Sequence, residues 1–99
     1  MEIVKSQSNN KTVFTLTGRL DTTTAPQLQE TLLPAFEGGA HVELDFAALA
    51  YVSSAGLRVL LLGEKAAKSK GGVFSLVNVS DEIKEVFEMT GFTDILKIA

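Results

Sequence analysis

Two periodicities meet in the run Asp45-Phe46-Ala47-Ala48-Leu49-Ala50-Tyr51-Val52-Ser53-Ser54-Ala55-Gly56-Leu57-Arg58-Val59-Leu60-Leu61. The residues leading into it, His41-Val42-Glu43-Leu44-Asp45-Phe46, alternate polar and apolar, the period of two of a strand with one buried face. The residues leading out of it, Ser54 to Lys70, have helical character. Leu57, Leu60, Leu61 and Ala67 favour one broad face, and Lys65, Lys68 and Lys70 complement the negative end of the helix. Ala47 to Val52 is expected to be a short connection. Two serines therefore stand where the helix opens. One is an N-cap whose hydroxyl takes an orphan backbone N–H, and Ser54 is read as that cap; Gly56 permits close packing.

The chain on either side continues the alternation. Ile3-Val4-Lys5-Ser6 and Thr12-Val13-Phe14-Thr15-Leu16-Thr17, rich in β-branched residues and separated by Asn9-Asn10-Lys11, predict a hairpin. Gly18-Arg19-Leu20-Asp21 closes its second strand. Thr24 is expected to cap a helix with Pro26 in its first turn and Gln27 as capping-box partner; Leu28, Leu32 and Phe36 form its buried stripe, and Gly38-Gly39 ends it. Beyond the helix stop at Gly71-Gly72, Val73 to Val77 is a strand. Ser80 caps a third helix with Asp81 and Glu82 in its first turn and Ile83, Val86 and Phe87 on its apolar face. Gly91 ends it, and Ile95 to Ile98 makes a short last strand. The order β-β-α-β-α-β-α-β predicts one α/β domain over 1–99, a mixed and mostly parallel sheet with helices packed against it.

Composition narrows the function. Ninety-nine residues, 45% hydrophobic and 21% charged, suit one folded domain with a modest core. The net charge is −3 and the nine Lys and Arg are scattered, which argues against direct nucleic-acid binding, since that affinity comes from neutralising phosphates. With no cysteine there is no disulfide, thiol nucleophile or Cys-based zinc site. The start Met1-Glu2-Ile3-Val4-Lys5 has no secretory pattern, and the longest apolar run, Leu57 to Leu62, is broken by Arg58 and too short for a bilayer. A cytoplasmic protein without membrane insertion is expected. His41, the only histidine, falls on a strand's polar phase and is expected to be exposed. Neither a Gly-x-Ser-x-Gly elbow nor a phosphate loop occurs, so the residues show no catalytic machinery.

Asp45-Phe46 followed by Ser53-Ser54-Ala55-Gly56-Leu57 resembles the signature of the STAS family, and Gly18-Arg19-Leu20-Asp21 resembles the family's Gly-Glu-Leu-Asp turn. The resemblance spans nearly the whole chain and points to the anti-sigma factor antagonists. By position it implies that Ser54 is the serine they phosphorylate. Ser53 stands where many members have Asp, Ala55 replaces a second serine, and Arg19 replaces the commoner Glu, which changes the charge of a kinase-facing surface. Asp21 on its own residues is an Asx turn or cap ahead of Thr22-Thr23-Thr24; the resemblance places it beside Ser54, where members meet the kinase. The implied partner-binding set is Asp21, Thr22, Ser53, Ser54, Gly56 and Arg58, with Arg58 one turn from Ser54 and within reach of a phosphate there.

What the resemblance implies is a switch with no cofactor of its own. Unmodified, it binds an anti-sigma factor serine kinase, which supplies ATP and Mg²⁺, and frees a sigma factor; phosphorylation at Ser54 releases it, and a PP2C-type phosphatase resets it. The alternative keeps the fold but makes the chain a constitutive adaptor resembling the STAS subunit of a lipid-transport ABC complex.

Overall fold

The computed structural model describes residues 1–99. Strands β1 (Glu2–Ser8) and β2 (Lys11–Leu20) form an antiparallel hairpin, with Ser8 opposite Lys11. Its two-residue turn is made by Asn9 and Asn10, both at positive φ (48° and 68°), the geometry that matches strand twist and that asparagine tolerates better than most residues.

Helix α1 (Ala25–Leu32) follows, then a 3₁₀ turn over Leu33–Phe36. The expected single helix to Phe36 stops short because Pro34 has no N–H to continue the α ladder. Leu28, Leu32 and Phe36 are nonetheless all fully buried.

Strand β3 (His41–Val52), helix α2 (Ser54–Lys70), strand β4 (Val73–Val77), helix α3 (Asp81–Thr90) and strand β5 (Lys97–Ile98) complete the chain. The five strands lie in the order β1-β2-β3-β4-β5, parallel from β2 onward. Each crossover advances one place in the same direction, so right-handed connections put all three helices on one face. Burial follows that layering: Phe14, Leu16, Val42, Leu44, Phe46, Phe74 and Leu76 are buried on the helix side, while the intervening Thr15, Glu43, Asp45 and Val77 are only partly covered. His41 departs from expectation in being half-buried, its Nε2 lying 3.3 Å from the hydroxyl of the buried Ser75.

The main correction concerns Ala47 to Val52, which is strand and not connection. Between Thr15–Asp45 and Thr17–Ala48, and again between Gly18–Leu49 and Arg19–Tyr51, β3 takes one residue more than β2. Each bulge turns the strand period of two into three, which is why Phe46, Leu49 and Val52 are all buried. The Asp45 carboxylate supports the first bulge, accepting the Ala47 N–H (2.9 Å) and the Asn78 side-chain amide (3.0 Å). Gly18, at φ +107°, supplies the backbone freedom opposite the second.

Helix α2 sits close to its neighbours through Gly63, where a Cβ would come within 2.8 Å of Leu32 and 3.0 Å of Phe74. It ends at Gly71 in the left-handed region, as expected, and α3 ends likewise at Gly91. Ser80 caps α3 by accepting the Ile83 N–H at 3.2 Å.

A serine-bearing helix start clamped to a strand end

The carboxyl ends of β2 and β3 and the first turn of α2 converge on Leu20. The Ser53 N–H donates to the Leu20 carbonyl at 2.8 Å, tying the start of the helix to the end of β2. Gly56, in the first turn, lies flat on the same residue: a Cβ there would stand 2.6 Å from Leu20 Cγ and 3.1 Å from its carbonyl oxygen. Gly56 is itself buried. Its part in the fold is to let the helix approach β2.

Ser53, not Ser54, is the N-cap. With φ −88° and ψ 173° it is extended, and its hydroxyl accepts the Gly56 N–H at 3.2 Å. Ser54 is the first helical residue, exposed, with its hydroxyl bonded to no other group of the chain. The separation follows from the backbone: only the residue before the first helical one is extended enough to fold its hydroxyl back over the first turn. One serine is used by the fold and the other is left free. Arg58, one turn along α2, is exposed and makes no ion pair.

Asp21, next to Leu20, closes a tight turn. Its Oδ1 accepts the Thr23 N–H (3.0 Å), the Thr23 hydroxyl (2.7 Å) and the Thr24 N–H (3.1 Å). The Thr23 hydroxyl foremost, and the Thr23 and Thr24 amides, hold the carboxyl below its ordinary value. The Asx turn read from the residues is therefore present. Thr24 occupies the N-cap position of α1 without capping it: its hydroxyl donates to the Arg19 carbonyl (2.8 Å) and accepts the Asp21 N–H (2.8 Å). Gln27 is no capping-box partner either, since it reaches the Met1 carbonyl at 3.2 Å. Thr23 and Thr24 serve the turn more than the helix. Thr22 alone of the three threonines is exposed and free of side-chain hydrogen bonds.

A further pair stands at this strand end. Arg19 and Tyr51 are opposite one another in the β2–β3 register, and the guanidinium carbon lies 4.2 Å from the centre of the Tyr51 ring. Tyr51 was not singled out by the sequence. Its position opposite Arg19 depends on both bulges, and the only signal for them is the spacing of three between Phe46, Leu49 and Val52.

Comparison with known proteins agrees with this architecture. The family described as Mlab, STAS domain matches residues 3–97. An anti-sigma-B factor antagonist of Bacillus subtilis is 33% identical over 93 residues, covering 94% of this chain and 85% of that protein. The solved structure of an anti-sigma-factor antagonist (STAS) domain protein from Planctomyces limnophilus superposes with a TM-score of 0.85 at 26% identity, covering 98% of this chain and 87% of the other. The phosphorylated form of the Bacillus cell fate determinant SpoIIAA shares the fold, with a TM-score of 0.74 at 22% identity over 99% of this chain and 91% of that one. On the family match across residues 3–97 and the shared architecture, the chain belongs to the STAS domain family of anti-sigma factor antagonists.

Proposed function

We propose that the chain is a partner-switching regulator that, with Ser54 unmodified, docks through the strand-end surface around Ser54 and Asp21 onto an anti-sigma factor of the serine-kinase type, so releasing a sigma factor. The observation that carries this reading is the division of labour between the serines: Ser53 caps α2, and Ser54 presents a free hydroxyl at the surface. The relative in Bacillus subtilis, an anti-sigma-B factor antagonist, supports the class of partner.

In the switching step the Ser54 oxygen attacks the γ-phosphorus of ATP held by the kinase. The new O–P bond forms as the bond to the β-phosphate oxygen breaks, ADP leaves, and the hydroxyl proton passes to a base of the kinase. The phosphoryl group brings about −1.5 to −2 charges. At the start of α2 it meets N–H groups that have no intrahelical partner and the positive end of the helix dipole, so the fold tolerates it. Arg58, with no competing ion pair, supplies a second source of positive charge. The same group buried in a docked interface costs binding, because bulk and charge must be accommodated where the partner fits closely. Hydrolysis of the phosphoserine by a PP2C-type phosphatase restores the binding form.

The test is phosphorylation by the cognate kinase with ATP and Mg²⁺, followed by intact-mass analysis. The parent chain gains one phosphoryl group and Ser54→Ala gains none. A Ser54→Ala chain modified as fully as the parent rejects Ser54 as the switch.

A further inference from the structure

We infer that Arg19 and Tyr51 form a preorganised recognition element that selects a carboxylate side chain on the anti-sigma factor; this rests on the functional reading above and adds the chemistry of the partner's contacting group.

The two residues are held in place by the sheet, not by the loops beyond it. Arg19 and Tyr51 are register partners in β2 and β3, and the second bulge of β3 sets them opposite each other. The guanidinium lies over the ring at 4.2 Å from its centre. Its Nε is 3.9 Å from Asp21 Oδ2, beyond hydrogen-bond distance, while Asp21 Oδ1 is taken up by Thr23 and Thr24. Stacking uses the flat face of a guanidinium and leaves its edge donors free, and those donors match a carboxylate in a two-pronged pair. Apart from Asp21, no charged group of the chain pairs with Arg19.

Exposure places the element at the surface. The Arg19 side chain is 61% exposed and Tyr51 is 40% exposed, one of few large apolar side chains left in solvent. They stand at the strand end where Ser53 joins β2 to α2, with Tyr51 three residues before Ser54. Arginine and tyrosine dominate the energetics of protein interfaces, and a pair already ordered before docking loses less freedom on binding. A positively charged fork backed by an aromatic plate fits an acidic side chain, with the ring packing against its methylene groups. A basic side chain there meets repulsion from Arg19, and of the Asp21 carboxylate only Oδ2, which Arg19 already faces at 3.9 Å, is left to receive it.

The experiment measures affinity of the unmodified full chain for its cognate anti-sigma factor, at low and high salt, for the parent, Arg19→Gln, Arg19→Lys, Arg19→Glu, Tyr51→Leu and Ser54→Asp. Thermal unfolding of each variant confirms that it is folded. The expected result is a loss of at least tenfold for Arg19→Gln, a larger one for Arg19→Glu, an intermediate one for Arg19→Lys and Tyr51→Leu, and a weaker salt dependence for Arg19→Gln than for the parent. Replacement of one acidic residue of the anti-sigma factor by Arg restores binding to Arg19→Glu. Should Arg19→Gln and Arg19→Glu bind like the parent while Ser54→Asp does not, the recognition element is wrong and the switch stands. Should the Arg19 effects appear only after Ser54 is phosphorylated, Arg19 serves the phosphate and the inference is overturned. Should Ser54→Asp bind as tightly as the parent, it is the switch that fails.

Discussion

The Ser53 hydroxyl accepts the Gly56 N–H at 3.2 Å, so the cap of α2 is held by the serine that precedes the exposed one. The adjacent serines should therefore separate stability from regulation. Ser53→Ala removes an N-cap and is expected to cost about 1 kcal/mol, whereas Ser54→Ala, on the surface with no partner, stays within about 0.5 kcal/mol of the parent. Urea unfolding midpoints check this, and equal losses at both positions would show that the two share the cap.

Gly56 and Leu20 make the second prediction. A methyl at position 56 meets both the side chain and the backbone of Leu20, which is fully buried and carries the carbonyl that receives Ser53. Gly56→Ala is expected to destabilise by about 1–3 kcal/mol, the usual range for overpacking, and to move Ser54 relative to Asp21. Amide chemical shifts of Asp21 to Thr24 should change along with those of the helix start. An unperturbed turn would mean that α2 and β2 are not rigidly coupled.

The Asp21 turn gives a pH dependence. Hydrogen bonds from Thr23, and then from Thr24, favour the ionised carboxylate, so its folded value lies below the ordinary 3.8. A depressed carboxyl contributes stability that is fully present above its unfolded value and is lost as pH falls through the folded one. The turn is thus intact at neutral pH and loosens only in acid below the ordinary carboxylate range. Carboxyl titration followed by NMR should find Asp21 low, and Thr23→Ala should move it back toward 3.8. A Thr23→Ala chain whose Asp21 titrates as in the parent contradicts this cause.

Most of the element order was legible because the helices announce their ends. Gly71 and Gly91 stop α2 and α3, and Ser80 caps α3, all as their positions implied. The second half of β3 was not legible. Two bulges spread its buried residues to Phe46, Leu49 and Val52, a spacing that matches neither a plain strand nor a helix. The end of α1 was hidden because its apolar stripe runs on to Phe36 while Pro34 forces a tighter turn. At the site, the presence of a cap was readable but not its owner, since either serine could be the last extended residue. Thr24 and Gln27 fit a capping box by type and spacing, yet nearby carbonyls at Arg19 and Met1 compete for them. The pairing of Arg19 with Tyr51 rests on the register that the two bulges set, for which the spacing of Phe46, Leu49 and Val52 is the only local signal.

The bulge itself is testable. Asn78→Ala removes the side-chain amide that donates to Asp45 at 3.0 Å, leaving the Ala47 N–H bond in place. Asn78 also sits at φ 56°, a conformation that alanine adopts less readily. A loss of about 1–2 kcal/mol is expected from the bond and the backbone together, with faster amide exchange at Ala47 and Ala48. Exchange at those amides as slow as in the parent would show that Asn78 does not support the bulge.

On the proposed mechanism, the state of Ser54 sets partner affinity without altering the fold. This is tested by titrating the cognate anti-sigma factor kinase, by calorimetry, with the unmodified chain and with the chain stoichiometrically phosphorylated at Ser54, both checked by amide spectra. Closely similar spectra away from the start of α2 are expected, with an affinity at least a hundredfold lower for the phosphorylated chain. Equal affinities for the two forms would contradict the mechanism.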